Sequence, residues 1–133
     1  RKKLGPIVFS DTSKMDRLNQ IMHPLIRDLI EKRLATLESN QTKVAVVEAA
    51  ILIEAGWKSV FDEIWVVIAD REEVINRLKI RNGLSRDDAL RRIDSQMSDN
   101  ERIKHGDVVV ENTGNMEDLQ TRVHSLWSRR ISA

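Results

Sequence analysis

Six consecutive apolar residues, Ile64-Trp-Val-Val-Ile-Ala69, stand between Glu63 and Asp70. Such a run, bounded by polar residues, is the pattern of a strand buried on both faces of a parallel sheet. Val44-Ala-Val-Val47 has the same character before it, and Val108-Val-Val110 follows it. Helical signals separate the three. Strands alternating with helices through the latter two thirds of the chain predict an α/β fold, a three-layer sandwich with a parallel sheet.

The helices announce themselves by their ends. Ser10 to Ser13 offer N-caps for a helix through Met22, with Leu18, Ile21 and Met22 on its apolar side. His23-Pro24 interrupts it, because proline disfavours the α conformation in the residue before it, and a second helix is expected from Pro24 to Leu37. Residues 12–38 thus read as a helical hairpin, closed by the turn Glu38 to Thr42. The segment Ile51 to Phe61 is helix or loop, anchored by Trp57. Asp70 caps a helix to Arg81; Asn82-Gly83 stops it, and Ser85 with Asp88 three residues on opens the next. Val74, Ile75 and Leu78 supply the buried stripe of the first of these helices, and Leu90, Ile93 and Met97 that of the second. Met97-Ser-Asp-Asn-Glu101 starts a short helix by the same capping logic, ending near Gly106, and Asn115 with Asp118 caps a final one expected to bury Leu119, Val123, Leu126 and Trp127.

Charge is balanced, with 22 Lys and Arg against 21 Asp and Glu, so no global field recruits nucleic acid or an anionic membrane. Positive charge matters only where it clusters. The absence of cysteine excludes disulfides, thiolate chemistry and cysteine-ligated zinc, and fits a reducing compartment. No apolar run approaches the ~18 residues of a membrane span, and no signal peptide is visible. The chain reads as a cytoplasmic protein of one modest domain.

The densest cluster lies around Asn82-Gly83. Arg77 and Arg81 share one helical face at i, i+4, and Arg92 and Gln96 repeat that spacing after the turn. Guanidinium groups converging from two sides suit a triphosphate, since the planar fork donates two hydrogen bonds to phosphate oxygens and keeps its charge. The same spacing also fits two solvated helices with basic outer faces. In an open parallel sheet, ligands bind outside the carboxyl ends of the strands. Glu48 there could orient a magnesium-bound water or a substrate hydroxyl, or be a satisfied strand-end carboxylate. Glu54 fits the same region or an exposed short helix. Asn112-Thr-Gly114 offers an amide and a close backbone approach for an adenine edge, or simply a turn. His23 before proline fits a structural hydrogen bond better than a catalytic base. Neither G-x-x-x-x-G-K-[ST] nor G-x-G-x-x-G occurs.

Five phrases in order and register give the chain a resemblance: Phe9-Ser-Asp11, Leu18-Asn-Gln-Ile-Met-His-Pro-Leu-Ile-Arg27, Val46-Val-Glu-Ala-Ala-Ile-Leu-Ile-Glu-Ala-Gly-Trp57, Arg81-Asn-Gly-Leu-Ser-Arg-Asp-Asp-Ala-Leu-Arg-Arg-Ile-Asp-Ser-Gln96 and Asp107-Val-Val-Val-Glu-Asn-Thr-Gly114. Together they resemble dephospho-coenzyme A kinase, and the third is similar to the kinase domain of bifunctional coenzyme A synthases. The resemblance implies a P-loop kinase fold that transfers the γ-phosphoryl of ATP, with Mg2+, to the 3′-hydroxyl of dephospho-coenzyme A. It implies a nucleotide-binding core at 43–76 and 107–133, a helical substrate-binding part at 12–38 and a lid at 77–105. Arg81 falls on the lid arginine, in a catalytic role, and Arg77, Arg92 and Gln96 join it on the nucleotide. Asn112 and Gly114 fall near the adenine, and Arg1, His23, Arg27 and Glu54 on the dephospho-coenzyme A side. Glu48 stands where the family usually has the metal-associated Asp, and Ala50 where many members have Pro. The phosphate loop and the acceptor-activating Asp are expected before Arg1, so the 133 residues alone are expected to be inactive. Another small-metabolite or nucleoside monophosphate kinase, and a non-catalytic binding module, are the alternatives.

Overall fold

The structure, a computed structural model, describes residues 4–9 and 11–131. It divides into two compact units, Arg1–Val60 and Phe61–Ala133. Arg1 and Ser10 lie outside the described residues.

In the first unit, helix α1 (Leu4–Phe9) packs against helix α2 (Thr12–Ser39), and Val8 is buried. Asp11 is the N-cap of α2: its carboxylate accepts from the amides of Ser13 at 3.0 Å and Lys14 at 3.4 Å, and from the Ser13 hydroxyl at 2.7 Å. These bonds fill donors that the first helical turn leaves open. The expected break at His23-Pro24 does not occur, and α2 runs as one helix of 28 residues with Pro24 inside it. There is no helical hairpin at 12–38. Proline removes one i→i−4 bond and crowds the carbonyl of Gln20, at ~3 kcal/mol. A helix this long absorbs that cost through the bonds on either side, with Arg27–Glu31 at 2.9 Å and Lys32–Asp28 at 2.7 Å adding i, i+4 pairs beyond the proline. The helix ends where Gln41 takes a left-handed φ of 58° and Thr42 N–H bonds to Leu37 O at 3.0 Å.

Residues 44–49 have no regular secondary structure, and Val46 is 79% exposed, so the expected strand at Val44–Val47 is absent. Apolarity gives a run its preference for burial, but a strand exists only where a neighbour completes its ladder of hydrogen bonds. Turns follow, with Ala55 N–H bonded to Ile51 O at 2.9 Å and Trp57 N–H to Leu52 O at 3.0 Å, then a 3-10 turn at Lys58–Val60. Trp57 is 3% exposed and is the expected anchor.

The second unit is built on strands β1 (Trp65–Ile68) and β2 (Val108–Glu111), paired in parallel with Trp65 opposite Val108 and Ile68 opposite Glu111. Parallel strands need a long crossover. Here it consists of helices α3 (Arg71–Asn82), α4 (Arg86–Asp94) and α5 (Asp99–His105). Each starts at the residue its sequence marks: Asp70 caps α3, Ser85 caps α4 and Ser98 caps α5. Gly83 ends α3 with φ 67°, the left-handed conformation that glycine adopts without a Cβ penalty. Ile75, Leu78 and Ala89 form the core between α3 and α4, with Val74, Leu84, Leu90 and Ile93 packed around them.

Neither strand is buried on both faces as its apolarity suggested. Val66, Val108 and Val110 are buried while Val67 and Val109 are exposed. Helix α6 (Met116–Arg130) carries no buried residue: Leu119 and Leu126 are half-buried, and Val123 and Trp127 are exposed. Two strands about 4.8 Å apart present a face narrower than the ~10 Å width of a helix, so the apolar stripe of α6 overhangs it.

Gly106 is held in extended backbone with φ −89°, open to any residue, yet a Cβ there would stand 2.6 Å from Val66 Cγ2. Gly106→Ala should therefore lower unfolding stability by about 1–3 kcal/mol in denaturant titration, and Val66→Ala in the same chain should recover part of it.

Candidate functional site

Six arginines lie between residues 71 and 92, and the fold sorts them. Arg71 pairs with Asp94 at 2.6 Å, tying the start of α3 to the end of α4. Arg86 grips Glu72 with both terminal nitrogens, at 2.7 and 2.6 Å, across the same two helices. Arg77 pairs with Glu73 at 2.9 Å within α3, and Arg91 with Asp88 within α4. Arg81 and Arg92 have no carboxylate within ion-pair distance among the described residues, and both are exposed. The Arg81 Nε–H donates only to the neighbouring Asn82 Oδ1, at 3.1 Å. An exposed cation without a carboxylate, as Arg81, Arg92 and Lys79 are on this helix pair, meets a phosphate without displacing an ion-pair partner. Gln96 is exposed just beyond the end of α4.

The electrostatics follow the pairing. The Arg86 guanidinium holds the Glu72 carboxyl below its usual range, and Glu72 in turn raises Arg86. The hydroxyl of Ser85 and then Arg91 hold Asp88 low. The Ser85 hydroxyl donates to Asp88 Oδ2 at 2.6 Å and accepts from the Asp88 amide at 3.1 Å, which fixes the start of α4 immediately after the Gly83 turn.

The carboxyl end of β2 carries the second set. Asn112 N–H donates to Ile68 O at 2.7 Å, extending the ladder one residue past the strands. Arg77 Nη2 reaches this turn from α3, donating to Asn112 O at 3.1 Å and Asn112 Oδ1 at 3.5 Å. Arg122 reaches it from α6, donating to Glu111 O at 2.9 Å and Thr113 Oγ1 at 3.0 Å. Gly114 has φ 84°, and a Cβ there would meet Asp118 Oδ2 at 2.7 Å. Asn115 and Asp118 close a reciprocal capping box behind it. Arg77 and Asn112, expected separately in the sequence, are thus in direct contact. Arg122 was missed there, because nothing in its spacing marks a residue on the far helix that folds back on a turn nine positions earlier.

In the first unit, His23 stands edge-on to Trp57, with ring centroids 5.7 Å apart and planes at 79°. Its Nε2 is buried without a hydrogen-bond partner among the described residues. Arg27 is engaged with Glu31 at 2.9 Å. Glu54 is exposed in the turn before Gly56, and Glu48 is exposed in irregular backbone. No group of three His, Cys, Asp or Glu side chains that would hold a metal occurs among the described residues. Mg2+ in phosphoryl transfer takes much of its shell from substrate phosphates and water, so one carboxylate is a sufficient protein contribution. Arg1 lies outside the described residues.

Parallel strands joined by a helical crossover, with turns at their carboxyl ends, make this an α/β protein, and the arrangement is consistent with a P-loop kinase-like fold. Its fold matches a Thermus thermophilus protein of known crystal structure with a TM-score of 0.74 at 30% identity, covering 98% of this chain and 66% of that one. It matches dephospho-CoA kinase from Campylobacter jejuni with a TM-score of 0.69 at 26% identity, covering 99% and 65%. The sequence profile of the dephospho-CoA kinase family matches residues 1–118, and the chain belongs to that family. Curated relatives named dephospho-CoA kinase include those of Geobacter sulfurreducens, 47% identical over 98% of this chain, and Dehalococcoides mccartyi, 39% identical over 98%. The chain spans 66% of the length of each. Among the described residues no helix is long and apolar enough to cross a membrane.

The carboxylates of Glu72 and Asp88 titrate lower in the folded chain than in the unfolded one, so their contribution is fully present above the ordinary carboxylate pKa and lost as pH falls through the folded values. The stability of the α3–α4 pair should be level from neutrality to about pH 5 and decline below about pH 4. Glu72→Gln should flatten part of that decline in melts followed by circular dichroism.

Proposed function

We propose that this chain forms the helical substrate part, the lid and the adenine-side turn of a kinase that transfers the γ-phosphoryl of ATP to the 3′-hydroxyl of dephospho-coenzyme A. The observation that carries the reading is the sorting of arginines on the lid pair. Four are neutralised by carboxylates, leaving Arg81 and Arg92 for phosphate, on helices whose mutual geometry is set by Arg86–Glu72 and Arg71–Asp94. Phosphoryl transfer is governed by positioning and charge stabilisation, and guanidinium donors aimed at the transferring group act on both. Bound ATP would supply the phosphoryl group, and Mg2+ would screen its charge. Arg81 contributes charge where the transition state spreads it over the equatorial oxygens. Arg92 and Gln96 add donors from the other side of the Gly83 turn, and Asn112 to Gly114 seat the adenine.

On the acceptor side, the proposal assigns Arg27 and Arg1 to the phosphate groups of dephospho-coenzyme A, with His23 and Glu54 orienting it. Arg27 is held by Glu31 alone, an exposed i, i+4 pair worth roughly 0.3–0.5 kcal/mol, which an incoming phosphate outcompetes. Glu48 is assigned to magnesium. The site is assigned to the cytoplasm.

The test uses the Geobacter sulfurreducens relative with its matched region replaced by this chain. The chimera should convert dephospho-coenzyme A and ATP to coenzyme A and ADP, and a chimera that folds but releases no ADP with this acceptor overturns the reading. A panel of nucleoside monophosphates separates other kinase specificities. Arg81→Ala in the chimera should lower kcat by ~10² or more with little change in melting temperature, and an unchanged kcat would make Arg81 a solvated surface residue.

A further inference from the structure

The lid helix and the turn after β2 are joined by one side chain. Arg77 Nη2 stands 3.1 Å from Asn112 O, 3.5 Å from Asn112 Oδ1 and 2.9 Å from Glu73 Oε2. Its acceptors therefore belong to two elements, α3 and the 112–114 turn, separated by 35 positions in sequence. We propose that Arg77 is a positioning residue that couples the seating of the base at Asn112–Gly114 to the orientation of the lid helix, rather than a ligand of the phosphates. The inference rests on the reading of 112–114 as the adenine-side turn.

Three features of the molecule support it. Nη2 is already engaged: Glu73 balances the charge and Asn112 takes what is left of that nitrogen's donor capacity, so a phosphate at Nη2 would have to displace a carboxylate partner that Arg81 and Arg92 do not have. The turn is otherwise fixed on its far side. Arg122 holds Glu111 O and Thr113 Oγ1, the Asn115–Asp118 capping box closes it behind, and the Asn112 amide ends on Ile68 O. Arg77 is the contact that reaches Asn112 itself from α3, and it accounts for the carbonyl end of the side-chain amide. With Oδ1 facing Arg77, the Nδ2 end remains as a donor for an acceptor nitrogen of the base. Finally, Arg77 and Arg81 are one turn apart on α3. A shift of Asn112 when a base binds is passed through Arg77 to the segment that carries Arg81. The coupling runs both ways, as any linkage between two sites must.

A carboxylate-bound guanidinium bridging two elements is a strong but geometry-dependent contact, and lysine reproduces its charge without its fork. Two measurements on the 133-residue chain and its variants test the inference. Hydrogen exchange reads the brace without any ligand. Arg77→Ala should speed exchange of the Asn112 and Asn115 amides roughly tenfold or more, with Arg77→Lys between it and the parent and the amides of mid-α6 unchanged. Unchanged exchange at Asn112 and Asn115 overturns the proposal.

Competition binding with ATP and with inorganic tripolyphosphate reads the consequence. Arg77→Ala should weaken ATP by about tenfold while leaving tripolyphosphate within about twofold, whereas Arg81→Ala should weaken both. Equal losses of ATP and tripolyphosphate in Arg77→Ala overturn the proposal by making Arg77 a phosphate ligand. If the parent chain binds neither, the competition is repeated in the Geobacter chimera. Failure of that chimera to bind ATP defeats the nucleotide reading, while the exchange result still decides whether Arg77 braces the turn.

Discussion

Everything in the second unit depends on the parallel pairing of β1 with β2. Four residues from each strand make the ladder, and its ends are secured beyond the strands: Ile64 O accepts from both Asp107 N–H at 2.8 Å and Val108 N–H at 3.1 Å, while Asp107 Oδ2 accepts from Ile64 N–H at 2.8 Å. A parallel pair cannot be closed by a tight turn, so the chain must travel away and return. The α3–α4–α5 crossover is that journey, so the sheet's topology requires a connection of the kind that the arginine-bearing helices supply. The same ladder delivers Asn112 to the carboxyl end of β2, within reach of Arg77 on the first helix of the crossover.

Within the crossover, division of labour among like residues matters more than their number. The six arginines of the 71–92 segment have the same intrinsic chemistry. What distinguishes them is whether a carboxylate stands opposite. Ion pairs at this degree of exposure contribute little to stability individually, because solvent screens them and holding two long side chains together costs entropy. Their consequence is geometric. Arg86–Glu72 and Arg71–Asp94 bridge the two helices on either side of the Gly83 turn, and the small core of Ile75, Leu78 and Ala89 sits between them. A helix pair held by a few buried side chains and exposed ion pairs has few of the contacts that resist local opening.

The first unit is built on a long helix with little burial of its own. None of the 28 residues of α2 is buried, and Ile21, Leu25 and Leu29 are exposed at i, i+4 and i+8. His23 meets Trp57 edge to face, an arrangement favoured by the ring quadrupoles. That contact joins α2 to the turn that carries Glu54 and ends at Trp57.

The sequence by itself determined what depends on near neighbours. The caps at Asp70, Ser85, Ser98 and Asn115 and the stop at Gly83 were legible, because a helix end is satisfied by side chains two or three positions away, and the apolar runs marked 65–68 and 108–111 as candidate strands that pairing then realised. The five phrases that carry the family were legible for the same reason. The tertiary structure decided what depends on partners far along the chain. Val44–Val47 has a strand's composition but lacks a ladder in this structure, and Pro24 has a breaker's chemistry inside a helix long enough to hold it. The separation of Arg81 and Arg92 from their neutralised neighbours required Glu72 and Asp94, which lie 14 and 23 positions from the arginines they bind. The junction of Arg77 with Asn112 spans 35 positions. Charge and apolarity are local properties of a residue, whereas pairing belongs to the fold.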